Sequence, residues 1–202
     1  MTWHENQEYE RKWWGDCTNT FAEETKQITY AHRMGMVNIT DGEHWPYYDL
    51  AGKSVIDIGG GPTSILLKCH SGGRRVVADP CNFPAWIRTR YEVAGVEFVS
   101  EPGETLSEVT ALQGVRFDEA WIYNVLQHTE DPARVIHNAR TLARTVRLFE
   151  WIDIPPHPGH PHELKADTLC QWLGSFGTVE DMRKAPENGC DQRAFYGTFF
   201  GY

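Results

Sequence analysis

Apolar residues recur along this chain in two rhythms. Short, nearly continuous apolar runs at Ser54–Ile58, Arg75–Ala78, Val96–Val99, Glu119–Val125 and Val146–Trp151 read as buried strands. Between them the spacing lengthens to three and four. Pro84, Trp86, Ile87 and Tyr91 predict a helix that stops at Gly95, and Asp131-Pro132 caps a second helix through Val135, Ile136, Ala139, Leu142 and Ala143. A third carries Leu164, Leu169, Trp172, Leu173 and Phe176, and a short one is expected over Leu106–Leu112. Pro62 is placed to open a helix that Gly72-Gly73 would close.

The ends differ from this middle. Residues from Trp3 to about Ala31 are polar and helical in tone, and Asp41-Gly42 and Trp45-Pro46 supply turn signals before the first strand. Thr178–Arg183 and Ala194–Tyr202 read as strands joined by a loop with Pro and Gly, which favours an antiparallel hairpin. Alternating strands and helices predict a doubly wound α/β core, mostly parallel, over 53–202, with an amino-terminal helical extension or lid over 1–52. Ligands of such sheets sit outside the carboxyl ends of the strands. Gly59–Gly61, Asp79, Glu101 and Asn124–His128 all fall there.

Composition narrows the partners. With 202 residues and 41% hydrophobic content the chain is one ordinary domain. Its formal charge of −9 argues against a broad grip on nucleic-acid backbone. No apolar run approaches the ~20 residues that span a bilayer, and the amino terminus lacks a signal-like segment, so the chain reads as cytosolic. Five cysteines, odd in number and without a C-x-x-C pair, indicate neither a disulfide framework nor a thiolate zinc site.

The order Asp57-Ile58-Gly59-Gly60-Gly61, then Asp79, then Asn124-Val125-Leu126-Gln127-His128-Thr129-Glu130-Asp131-Pro132 resembles the class I S-adenosylmethionine-dependent methyltransferases, over roughly Lys53 to Tyr202. The resemblance implies a seven-stranded sheet whose last strand is inserted antiparallel, with S-adenosyl-L-methionine as cofactor. It places Asp57 and Gly59, Gly60 and Gly61 near the methionine part. Asp79, with Pro80 beside it, falls at the ribose hydroxyls. Glu101 or its rival Glu104 falls at the adenine, and Asn124, Val125 and Leu126 along the cofactor. Asp57, Asp79 and Asn124 each have a purely structural alternative as turn or capping groups. The chain departs from the fuller glycine pattern at Thr63.

A dinucleotide fingerprint, Gly59-x-Gly61-x-x-Ser64, competes with this reading. Against it, Asp57 sets a carboxylate beside any pyrophosphate, and Pro62 removes a backbone donor. A non-catalytic protein of the same fold is the other alternative. The expected reaction is methyl transfer to an oxygen or nitrogen of a small molecule such as a metabolite, sugar or modified nucleotide. His128 is the first candidate for general base, with His160 and His162 of the His157-Pro158-Gly159-His160-Pro161-His162 stretch as alternatives. No carboxylate pattern completes a metal site there. Trp14, Asn19, Glu23, Lys26, Gln27 and Tyr30, several of them sharing a helical face, and Gln127 are expected on the substrate side.

Overall fold

The computed structural model describes residues 3–40, 46–182 and 192–202. The turn expected at Asp41-Gly42 and the loop expected between the last two strands lie outside these residues. Two helices come first, α1 (Trp3–Trp14) and α2 (Phe21–Arg33). The rest alternates: β1 (Tyr48–Asp49), β2 (Val55–Ile58), β3 (Cys69–His70), β4 (Arg75–Ala78), α3 (Ala85–Val93) and β5 (Glu97–Val99). Then come β6 (Phe117–Tyr123), α4 (Pro132–Leu142), β7 (Ala143–Ile152), α5 (Ala166–Leu173), β8 (Thr178–Asp181) and β9 (Arg193–Phe200).

Seven strands form one sheet in the order β5-β4-β2-β6-β7-β9-β8. β5, β4, β2, β6 and β7 pair in parallel, and β9 lies antiparallel to both β7 and β8. The doubly wound sheet with an inserted antiparallel last strand therefore forms as expected. Its strands bury alternate residues on opposite faces. Ile56, Ile58 and Val76 pack with Val135, Ile136 and Ala139 of α4 and Leu169 of α5. Val55, Val77, Trp121 and Phe149 pack on the other face with Ile87 and Tyr91 of α3.

That second layer also contains Tyr30, Ala31 and Met34, all at most 2% exposed, so α2 is part of the core. Tyr30 was expected near substrate. Instead its ring packs 4.5 Å from Phe149 and 6.1 Å from Tyr123 and Trp151. A large aromatic on the inner side of an amphipathic helix gains more from this burial than from lining a wet cleft.

The helix expected after Pro62 does not form. Two 3₁₀ turns, Gly61–Thr63 and Ile65–Lys68, stand there, followed by β3, which pairs with β1 in a separate two-stranded sheet. Ser64 breaks the path at φ −44°, ψ 142°, and its hydroxyl accepts from the amide of Leu66 and donates to Asp57. Side-chain bonds of this kind compete with helical ladders. The short helix expected over Leu106–Leu112 is likewise two 3₁₀ turns, Gly103–Glu108 and Thr110–Leu112, and Phe176 lies beyond α5 at 91% exposure. The cap on α4 forms as expected, with Asp131 Oδ1 accepting from the amide of Arg134 at 3.0 Å.

Candidate active site

A cleft of about 360 Å³ opens at the carboxyl ends of β2, β4, β6 and β7. β2 lies between β4 and β6, where the strand order reverses, which is the usual ligand position of such sheets. Gly59 and Gly61 line the cleft with φ of +75° and +62°. A Cβ on Gly59 would lie 2.5 Å from Cγ1 of Val125, and one on Gly61 would lie 3.4 Å from the indole of Trp14. Both positions need glycine for the positive φ of the turn, and Gly59 needs it also for the close approach of Val125 in the segment after β6, whereas Trp14 meets Gly61 at ordinary contact distance.

Two buried acids hold this turn and a third holds the neighbouring turn after β6. Asp57 is fully buried beneath it, and Oδ2 accepts from the hydroxyls of Ser64 and Tyr123, while Oδ1 has no partner among the described residues. Gly60 packs directly on it, since a Cβ there would meet Oδ2 at 2.7 Å. Neither Asp57 nor Gly60 lines the cleft, so both shape the loop from behind. Asp79 does line it. Its Oδ2 accepts from the amide of Gly61 at 3.0 Å and its Oδ1 from that of Cys81 at 2.8 Å. Glu150, also fully buried, accepts from the amides of Val125 and Leu126 at 3.0 Å through Oε1, and its Oε2 has no partner among the described residues. Burial raises all three, Asp57 and Glu150 to about 7 and Asp79 to about 6.

The chain after β6 turns back over the cleft through Asn124 at φ +57°. Asn124, Val125, Gln127 and His128 line it, and Leu126 is fully buried in the hydrophobic core. Gln127 donates to Asn124 Oδ1 at 2.9 Å, which ties the two ends of the turn together. His128 Nδ1 lies 2.8 Å from the carbonyl oxygen of Gly159 and 3.0 Å from Oε1 of Glu10. Burial opposes its charge, but Glu10, Glu150 and the Gly159 carbonyl outweigh that and raise its pKa.

Of the other expected residues, Trp14, Glu23, Lys26, Pro80 and His160 line the cleft together with His157. His160 stacks edge-on against His128 at 4.3 Å, and burial, reinforced by His128, His157 and Lys26, lowers it to about 3. It is therefore a weak base at neutral pH. His162 falls outside, with Nε2 3.2 Å from the carbonyl oxygen of Glu130. Asn19 lines a separate depression beside Phe21 and Tyr47. Gln27 is buried and committed, donating to the carbonyl of Thr63 at 2.7 Å and accepting from Lys68 at 3.0 Å. Glu101 is exposed outside the cleft, and its neighbour Glu104 lines it while accepting from the amide of Glu130 at 2.8 Å.

Gln7, Tyr9, Glu10 and Trp151 also line the cleft and were not singled out in the sequence. Gln7, Glu10 and Trp14 follow at spacings of three and four on α1, so the shared face was a readable signal. Trp151 carried no such mark, since it reads as one more apolar strand residue. Among the described residues no helix is long and apolar enough to cross a membrane. No group of three or more His, Cys, Asp or Glu among them is arranged to hold a metal ion.

No protein-family model and no curated protein matches the chain. Solved structures do. A 1,6-didemethyltoxoflavin-N1-methyltransferase from Burkholderia thailandensis, determined with 1,6-didemethyltoxoflavin and S-adenosylhomocysteine bound, superposes with a TM-score of 0.57. It is 17% identical, over 98% of this chain and 84% of that one. An O-methyltransferase family protein, also from B. thailandensis, matches at TM-score 0.54 and 14% identity over 74% of this chain, which spans about half, 51%, of that one. The [4+2]-cyclase SpnF matches at 0.55 and 16%, over 89% and 80% of the two chains. One fold thus hosts more than one reaction. In strand order, inserted last strand and overall superposition, this chain has the fold of the class I S-adenosylmethionine-dependent methyltransferases.

Proposed function

We propose that the chain is an S-adenosylmethionine-dependent methyltransferase acting on an oxygen or nitrogen of a small molecule. The observation that carries this reading is the glycine turn of β2, with Asp79 hydrogen-bonded to it, at the switch point of a methyltransferase-type sheet. The charges around the cleft fit such a ligand. Glu10, Glu23, Asp79 and Glu104 line it against Lys26, the single Lys or Arg of the lining among the described residues, which suits a ligand bearing a sulfonium and an ammonium group. The same set disfavours a pyrophosphate, which counts against the dinucleotide alternative.

When bound, the cofactor supplies a methyl group already activated on a positively charged sulfur. Asp79, after β4, is positioned for the ribose hydroxyls, and Gly59, Gly61 and Asn124 offer backbone to the methionine portion. Pro102, Gly103 and Glu104 wall the far side, where the adenine would lie. The acceptor then enters among Trp14, Lys26, Trp151 and the histidines, a mixed aromatic and polar wall suited to a flat, polar metabolite. Since the methyl donor is already activated, positioning and exclusion of water supply much of the acceleration. His128 is the group placed to remove a proton.

Calorimetry with S-adenosylmethionine, S-adenosylhomocysteine and NAD(H) tests the reading. Binding of the two adenosyl ligands is expected, together with release of S-adenosylhomocysteine when the chain and cofactor are incubated with a metabolite pool. Tight NAD(H) binding without response to either adenosyl ligand would overturn it. Binding without release in any pool would favour the non-catalytic alternative, for which the fold alone leaves room.

A further inference from the structure

α1 carries its acids on two faces. Glu8 pairs with Arg11 at 2.7 Å on the solvent side, whereas the side chain of Glu10 is 16% exposed and reaches Nδ1 of His128. The helix is seated by Tyr9, which packs against Gly159 so closely that a Cβ on that glycine would lie 2.6 Å from the ring. Gly159, at φ +86°, in turn offers its carbonyl to the same Nδ1. Three elements therefore meet at one ring nitrogen.

The polar groups around the ring fix its tautomer. Nδ1 faces two acceptors, Glu10 Oε1 and the Gly159 carbonyl, so it carries the proton of the neutral imidazole. Nε2 faces the amide nitrogen of Gln127 at 3.5 Å, and that amide is oriented by its bond to Asn124. Nε2 therefore carries the ring's one basic lone pair, on a residue that lines the cleft, and the long Gln127 contact is the one an acceptor's O–H or N–H would replace.

We propose that Glu10 is the positioning residue of a Glu10–His128 pair, supplied by the amino-terminal helix, that makes Nε2 of His128 the atom accepting the proton of the methyl acceptor. The inference rests on the methyltransferase reading above. As the acceptor oxygen or nitrogen bonds to the methyl carbon, the carbon–sulfur bond breaks with its electron pair leaving on sulfur. The acceptor's proton passes to Nε2. The imidazolium so formed is held by the Glu10 carboxylate and the Gly159 carbonyl, groups already in place before the charge develops. His128 is faced by Glu10 from α1, Glu150 from β7, and His160 and Gly159 from the loop after β7, with Gln127 beside it. His160 stays neutral across the working range and so does not compete for the proton. The base is complete only while α1 is seated.

The test is a proton titration of the full chain without ligand, following histidine Cε1–H and ring-nitrogen resonances by NMR, with His128→Asn identifying the signal. In the unsubstituted chain His128 is expected to titrate above the ordinary histidine value of about 6.5 and to hold its proton on Nδ1 when neutral. Glu10→Gln keeps the shape and removes the charge, and should lower the midpoint by about one pH unit. Glu10→Asp, with the charge on a shorter arm, should recover part of that shift. The acid limb of S-adenosylhomocysteine release against pH should move with the same variants. An unchanged His128 midpoint in Glu10→Gln, or a neutral ring carrying its proton on Nε2, would overturn the proposal. Failure of the chain to bind either adenosyl ligand would instead remove the methyltransferase reading, and the titration would still report on the pair.

Discussion

The amide of Gly61 donates to Oδ2 of Asp79 at 3.0 Å, so the acid that ends β4 also fixes the turn that ends β2. Its other oxygen accepts from the amide of Cys81 at 2.8 Å. Asp79→Ala removes both acceptors together with the group proposed for the ribose hydroxyls. We expect affinity for S-adenosylhomocysteine to fall by about ten- to a hundredfold, or ~1.4–2.7 kcal/mol, measured by calorimetry. Unchanged affinity would remove Asp79 from the cofactor site.

Gly59→Ala should be destabilising for two separable reasons. The residue sits at φ +75°, and the new Cβ would lie 2.5 Å from Cγ1 of Val125. Strain in that backbone region and overpacking each cost about 1–3 kcal/mol. Val125→Ala in the same chain should recover the overpacking part and leave the strain, which urea denaturation of the two single variants and the double variant would resolve. Additive losses would show that the two residues do not share the contact.

Asp57 titrates in the folded chain at about 7 because burial opposes its charge, against an ordinary value of 3.8. The folded state therefore holds a proton that the unfolded chain has lost, and Asp57 makes stability fall as pH rises from about 4 to about 7. Asp57→Asn keeps an acceptor for Ser64 and Tyr123 without the charge. It should stabilise the ligand-free protein by on the order of a few kcal/mol at pH 8, with the gain disappearing near pH 4. Thermal unfolding across that range measures it, and a gain independent of pH would contradict a buried charge at this position.

Glu119 shows the opposite sign. Although burial acts to raise its pKa, Arg147 at 2.7 Å, Lys53 at 2.7 Å and the indole of Trp121 at 2.9 Å lower it to about 2 from an ordinary 4.5. Its contribution is complete above about 4.5 and is lost as pH falls toward 2. Arg147→Met should cost about 2–4 kcal/mol at neutral pH, because it leaves a buried carboxylate with one remaining cation. The gap between the two proteins should narrow as pH falls through that window in denaturant titrations.

Several of these features were readable in the linear chain because they are local. The period of two or of three to four, the Asp131-Pro132 cap and the glycines after Ile58 depend on neighbours within one turn or one strand, and they place α4, the strands of the seven-stranded sheet and the glycine turn correctly, though not the small β1–β3 pair. The acid Asp79 could be found because strand ends in an alternating α/β chain predict where a cleft must open. Tertiary contact decided the rest. Whether Pro62 opened a helix depended on Ser64 reaching Asp57, and whether Tyr30 met substrate or core depended on the aromatic wall of β6 and β7. The proposed choice of His128 over His160 and His162 rests on Glu10 of α1 and Gly159 of the loop after β7 converging on one ring. Such convergence is set by how the sheet orders strands distant in sequence and by which buried polar groups find partners, and no local pattern of residue types encodes either.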